Sequence, residues 1–161
     1  TTMTLSTQTM TDEQRKALIL EYFNTFDRGG IRSTGEPILS LFADDCMVWF
    51  PKWGLAKGVD EVGQMFADLG STFEWIDHTT SHLNFVFSGG TTVAVEGLTR
   101  GRHRDGDWQA GRPQWGAGRF CNIFEIWDMK IQRLHIYLDP DYAGRDTDRY
   151  PWLARELSAA R

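Results

Sequence analysis

The chain has 161 residues, 41% hydrophobic and 13% aromatic, with a formal charge of -5. This length predicts one domain with a sizeable core, and 7 Trp with 10 Phe exclude a disordered chain. The acidic balance argues against a general nucleic-acid binder, which needs a basic surface, and no apolar run approaches the ~18 residues of a membrane span.

A local basic cluster (Arg100, Arg102, His103, Arg104) is followed at once by Asp105 and Asp107, and reads as a solvated hairpin end. Cys46 and Cys121 fall inside predicted strands without a CxxC spacing. Buried structural thiols in a reducing, cytoplasmic compartment are the expectation. Residues 1–10 are polar and Thr-rich, with neither the charged start nor the apolar core of a signal peptide. They are expected to form a loose, disordered tail, and 11–161 a single domain.

The spacing predicts a first helix over 11–28. Thr11 with Gln14 forms a capping-box pattern, Asp12 and Glu13 suit a helix start, and Leu18, Ile19, Tyr22, Phe23 and Phe26 make one apolar stripe. Gly29-Gly30 ends it. Pro37 opens a short second helix over 38–42. A strand over 46–50 stops at Pro51, 54–58 is a loop, and Val59, Val62, Phe66, Leu69 and Phe73 mark a third helix.

Residues 75–87 read as one strand carrying His78 and His82, and 91–102 as another carrying Glu96. The stretch 101–118 holds five Gly, Trp108 and Trp115 and reads as a long loop, a lid or an interface. Residues 119–139 form the central feature, two long strands meeting at a tight turn near Asp128-Met129, with Asn122 among apolar neighbours. A last short helix starts near Tyr150-Pro151. Strands that run together, rather than alternating with helices, indicate α+β with a mostly antiparallel sheet.

This order of elements, with Phe42-Ala43-Asp44-Asp45 before the first strand and Leu134-His135-Ile136-Tyr137-Leu138-Asp139-Pro140 closing the hairpin, resembles the SnoaL-like branch of the nuclear-transport-factor-2-like superfamily over residues 11–140. The resemblance implies a cone-shaped α+β barrel: a strongly curved, mostly antiparallel sheet packed on three N-terminal helices, with an apolar pocket opening at one end. It also implies a homodimer built on the open sheet face. The family spans polyketide cyclases, ketosteroid isomerases, dehydratases, epoxide hydrolases and proteins without chemistry, so the fold alone does not choose.

Residue by residue, Tyr22 resembles the isomerases' oxyanion-binding tyrosine. Asn122 resembles their protonated aspartate, and also a substrate-contacting asparagine of scytalone dehydratase. His82 resembles that dehydratase's first catalytic histidine, and Asp27 the helix-end aspartate that orients a histidine. The isomerases' general base corresponds to Phe50, the dehydratase's helix tyrosine to Phe26, and the epoxide hydrolases' last aspartate to Ile136. Each substitution removes one familiar mechanism.

The surviving set still has useful chemistry. A Tyr hydroxyl and an Asn amide can donate to an oxygen gaining charge, and a histidine steadied by a carboxylate can move a proton. Tyr22, His82, Asn122 and Asp27 are therefore the candidate catalytic residues, with no cofactor and no metal. Phe26, Trp49, Trp53, Met65, Phe66 and Phe124 are candidate walls of a site for an apolar, polycyclic ligand. Each has a plain alternative as a core residue. Three readings stay open: an acid-base cyclase, dehydratase or isomerase acting on a polyketide-like or steroid-like carbonyl compound; a non-catalytic binding or assembly protein; and an epoxide hydrolase, for which no water-activating carboxylate can be placed.

Overall fold

The computed structural model describes residues 10–109 and 118–142. The expected tail before residue 10, the helix near Tyr150, and Trp115 lie outside the described residues.

Helix α1 (Asp12–Asp27) starts as the sequence predicts. Thr11 Oγ1 accepts from the Gln14 amide at 3.1 Å, and Gln14 Oε1 accepts from the Thr11 amide at 2.9 Å. It ends at a left-handed Gly29 (φ 81°), where the Gly29 amide donates to Phe26 O and the Gly30 amide to Thr25 O. These two bonds satisfy carbonyls that would otherwise be orphaned at the helix end. Met10 is buried, and its carbonyl accepts from the equally buried Arg15 at 3.0 Å. Arg15 Nε also donates to Ile126 O, which pins the start of α1 to the sheet.

The expected second helix is one 3-10 turn, Ile38–Leu41, and Pro37 stands just before it. Strand β1 (Phe42–Phe50) begins four residues earlier than the alternation at 46–50 implies. Strict alternation would put Asp44 on the same face as the buried Phe42 and Cys46; a register shift against the neighbouring strand between Phe42 and Met47 leaves Asp44 and Asp45 in solvent instead. The expected loop at 54–58 is strand β2 (Gly54–Lys57), antiparallel to β1. Helix α2 (Gly58–Gly70) stops before Phe73, which opens strand β3 (Phe73–His78). So among the described residues two α-helices, not three, pack on the sheet, the second expected helix being the 3-10 turn.

The expected single strand over 75–87 breaks after His78. A 3-10 turn (Thr80–His82) separates β3 from strand β4 (Asn84–Phe87). The long strand β5 (Thr92–His103) pairs with both, and with strand β6 (Gly106–Gln109). The start of the expected 101–118 loop is thus a hairpin. Its Trp108 is 2% exposed and lies over Gly101, where a Cβ would come within 2.4 Å of both Trp108 Cη2 and the Trp75 carbonyl. Only glycine fits there. Glu96 accepts from Asn84 Nδ2 at 2.8 Å.

Strands β7 (Arg119–Trp127) and β8 (Lys130–Leu138) form the predicted central hairpin, turning through Asp128 (φ 59°) and Met129 (φ 58°). Two left-handed residues give the turn whose twist matches a hairpin. The sheet order is β2-β1-β8-β7-β5-β3, antiparallel except for β1 beside β8. Among the described residues this is a mixed, curved, unclosed sheet of eight strands, which wraps the helices in the cone expected from the sequence. Inward residues alternate strictly on β7: Phe120, Asn122, Phe124 and Ile126 are buried, while Cys121, Ile123 and Glu125 face the other side. No described helix is long and apolar enough to cross a membrane.

Candidate active site

Two cavities open between the helices and the inner sheet face. The outer one, about 510 Å³, lies between the C-terminal halves of α1 and α2 and the start of β3, with Phe26, Asp27, Phe66, Ala67, Phe73, Glu74 and Trp75 among its walls. The inner one, about 30 Å³, is walled by Tyr22, His78, Thr99, Asn122 and Tyr142 among apolar side chains. Phe26, Phe73 and Ile76 line both. A water needs roughly 10–15 Å³ of such space, so the inner chamber admits a water or one small polar group and the outer cavity admits a ring system.

The polar walls of the inner chamber come from α1 (Tyr22), β3 (His78), β5 (Thr99), β7 (Asn122) and, past β8, Tyr142. Asp27, the last residue of α1, grips the last residue of β3 twice. Its Oδ2 accepts from the His78 amide at 2.8 Å and its Oδ1 lies 2.5 Å from His78 Nδ1. A carboxylate accepting at Nδ1 fixes that nitrogen as the proton carrier and leaves Nε2 with a lone pair. The imidazole is packed among Phe23, Phe26 and Phe120, with ring centroids 4.8, 5.8 and 5.4 Å away. That cage limits its rotation.

Tyr22, one turn before Phe26 on α1, is 3% exposed and surrounded by Phe23, Phe42, Phe66 and Phe124. Burial first, then the nearby Asp27 carboxylate and Tyr142, pushes its hydroxyl pKa far above the usual 10. Its hydroxyl therefore keeps its proton at neutral pH and can donate it in a hydrogen bond. Asn122, on β7, lies between Val95 and Ile136 on the neighbouring strands. It is 2% exposed, and its Oδ1 has no hydrogen-bond partner. Leaving such an acceptor unmet costs about 1–3 kcal/mol.

The remaining two polar walls differ. Thr99 Oγ1 is spent, donating to Gly118 O and accepting from Trp108 Nε1, both at 3.0 Å. Tyr142 is 5% exposed and packs on Phe73 and Trp108. Burial and Asp139 raise its pKa as well.

Of the residues expected at the site, Tyr22, Phe26 and Asn122 wall the inner chamber, while Asp27 and Phe66 line the outer cavity and Asp27 touches the chamber through His78. His82 does not join them. The 3-10 turn puts it in solvent, bonded through Nδ1 to Ser81 Oγ at 2.8 Å, and His78 occupies the place beside Asp27. The short polar run Thr79-Thr80-Ser81 was the signal that the strand ends at His78. Tyr142, just past Pro140, carried no such signal.

Other expected wall residues stand elsewhere. Trp49 is on the outward face of β1, 5.6 Å from the Tyr137 ring, because it alternates with the buried Val48 and Phe50. Trp53 packs on Phe50 and donates to Asp68 at 2.6 Å. Met65 and Phe124 are buried in the core without lining either cavity among the described residues. Cys46 is buried, and desolvation pushes its thiol up to about 11, which leaves it a weak nucleophile. No group of three or more His, Cys, Asp or Glu that could hold a metal occurs among the described residues.

On the outward face, Arg133 Nε donates to His135 Nε2 at 3.2 Å. Partial burial, then the Arg133 charge, lowers the His135 pKa below 6.5, with Glu125 opposing. The unfolded chain therefore takes up this proton first. Stability is whole above pH ~6.5 and declines as pH falls through that value towards the folded pKa. Urea midpoints at pH 7.5 and 5.5 should show His135→Gln losing less stability than wild type over that step.

Comparison with known proteins agrees with the geometry. The SnoaL-like domain family matches residues 19–134, well over half of the chain. No curated protein sequence matches it. Among solved structures, an NTF2-like protein from Anabaena variabilis superposes with a TM-score of 0.62 at 22% identity, covering 86% of this chain and 98% of that one. AusH from Aspergillus nidulans gives 0.67 at 15% identity, covering 88% and 97%. A provisionally assigned polyketide cyclase from Sinorhizobium meliloti gives 0.56 at 16%, covering 75% and 94%. At these identities the structures speak for a shared NTF2-like fold, and the sequence match speaks for family: this chain belongs to the SnoaL-like domain family.

Proposed function

We propose that the chain is a cofactor-independent acid-base enzyme acting on a hydrophobic carbonyl compound, as a cyclase, dehydratase or isomerase. The observation that carries this reading is the part-buried Asp27–His78 pair, whose histidine shares one small chamber with Tyr22 and with Asn122, the latter with an unmet side-chain oxygen. A core histidine needs no carboxylate grip, and a core asparagine needs its partners.

The roles follow from the hydrogen-bonding capacities. His78 Nε2 takes a proton from an acidic carbon or a hydroxyl of the substrate, and returns it to carbon or to a departing oxygen. Asp27 is a positioning residue that stabilises the imidazolium as it forms. Tyr22 donates to the oxygen on which charge develops. Asn122 Oδ1 accepts from a substrate hydroxyl, and the amide orients that end of the molecule. The substrate's reacting oxygen enters the inner chamber while its ring system stays in the outer cavity, against Phe26, Phe66 and Phe73.

Exposed apolar side chains on β1, β2 and β8 (Met47, Leu55 and Tyr137) support a homodimer built on the outward sheet face. A binding protein without chemistry is the second reading, favoured by how little room the inner chamber has.

A panel of polycyclic ketones and hydroxy-ketones tests the proposal. A ligand at 100 times its Kd should stabilise the fold by about 2.7 kcal/mol, and those that do are then followed for loss of water, ring closure or double-bond migration. A ligand that stabilises and is converted supports the enzyme. Ligands that stabilise and return unchanged across the panel would leave the binding reading in its place.

A further inference from the structure

The outer cavity has a charge preference that its apolar walls conceal. Its described lining contains two carboxylates, Asp27 and Glu74, and no lysine, arginine or histidine. Both helices also end on it: the last residue of α1, Asp27, and the last of α2, Gly70, are part of the wall. Helix C-termini carry partial negative charge, which favours cations nearby. Phe26, Phe66, Phe73 and Trp75 bring ring systems to the same space, and Trp75 is 46% exposed. Aromatic faces attract a cation that has left water. Arg102 approaches Glu74 at 3.6 Å, but it also lies 2.8 Å from Asp107, so its charge is already matched outside the cavity.

We propose that the outer cavity takes an apolar ring compound bearing a protonated amine, and turns away the matching carboxylate. This rests on the proposed function only in treating the outer cavity as the seat of the substrate's body. The ammonium would sit at the mouth, near Glu74 and the Trp75 ring, while the ring system fills the space towards Phe26 and Phe66. A free acid would bring its charge against two carboxylates and two helix C-termini, with no basic group in the described lining to receive it and Arg102 already held by Glu74 and Asp107.

Three fluorescent anthracenes of one shape separate the cases: 9-(aminomethyl)anthracene, 9-methylanthracene and anthracene-9-carboxylate, titrated against the full chain at pH 7. The amine should bind about tenfold more tightly than the neutral compound, and the carboxylate at least about tenfold more weakly. The amine's advantage should shrink on raising salt from 10 to 150 mM, as the screening length falls from about 30 to about 8 Å. Glu74→Gln should narrow the preference. Ala67→Trp, which fills the cavity from an exposed helix position, should abolish binding of all three.

Equal binding of amine and carboxylate, no binding of the amine, or amine binding that survives Ala67→Trp would each overturn the proposal. The charge order is read from binding alone. It can therefore hold in a protein that turns nothing over, and it can fail in one that is active.

Discussion

Replacing His78 with glutamine should lower turnover of a carbonyl substrate by about 10²–10⁴-fold, the usual worth of a positioned proton-transfer group. Glutamine keeps a hydrogen-bonding group facing Asp27 and fills similar space, so the fold should survive. Its amide cannot carry a proton to and fro. Asp27→Asn should also be severe, for a different reason. An asparagine in that place can donate to Nδ1, which would move the ring proton to Nε2 and take away the base. His82→Gln should leave the rate unchanged, because that ring lies in solvent beside Ser81. Steady-state kinetics on the three variants, with urea denaturation alongside, separate a lost base from a lost fold. Loss of rate in His82→Gln with none in His78→Gln would reverse the assignment.

Phe23→Ala should cost about 3–5 kcal/mol, the range for emptying a buried aromatic site. Domains have only ~5–15 kcal/mol in total. Phe23 is fully buried, and its ring lies 5.2 Å from Tyr22, 4.8 Å from His78, 5.4 Å from Phe120 and 6.1 Å from Phe124. It therefore holds the fold together and walls in the imidazole and the tyrosine at once. Phe23→Leu, a smaller change costing about 1–2 kcal/mol, should keep the protein folded but loosen His78. Equilibrium unfolding in urea reads the first effect. The second should appear as a fall in kcat larger than any rise in KM.

Much of this arrangement was legible in the chain, and the failures have physical causes. The capping box at Thr11, the Gly29-Gly30 stop and the Asp128-Met129 turn are local rules, and the structure follows each of them. The central hairpin was legible because its two strands alternate cleanly. Tyr22 and Asn122 could be picked out because a polar group in an apolar stripe or strand must face inward. The error lay where a period-two reading ran through Thr79-Thr80-Ser81. That run is a 3-10 turn closed by the His82 amide donating to the Thr79 carbonyl at 2.9 Å, and the break moved the histidine beside Asp27 from His82 to His78.

Trp49 fails on the same arithmetic in another way. Its neighbours Val48 and Phe50 are the inward ones, so an aromatic residue in a strand next to a pocket can still face away. Strand β2 was invisible because four residues beginning with glycine carry too little pattern, and its pairing with β1 is tertiary. Trp108 was hidden for a related reason. Glycine-rich sequence reads as loop, yet Gly101 is there to let an indole lie flat on β5.

The central claim is that the interior polar groups form a site and are not part of what holds the fold together. Asn122→Leu tests it without any substrate. Leucine matches the amide in size, and its neighbours across the sheet, Val95 and Ile136, are apolar. Because Asn122 Oδ1 is buried and unmet, removing it should leave the protein as stable as wild type, or more stable by up to about 2 kcal/mol. Ligand stabilisation should be lost in the same variant. A fall in urea-derived stability of more than about 1 kcal/mol would mean that the amide is hydrogen-bonded into the core, and would contradict the account.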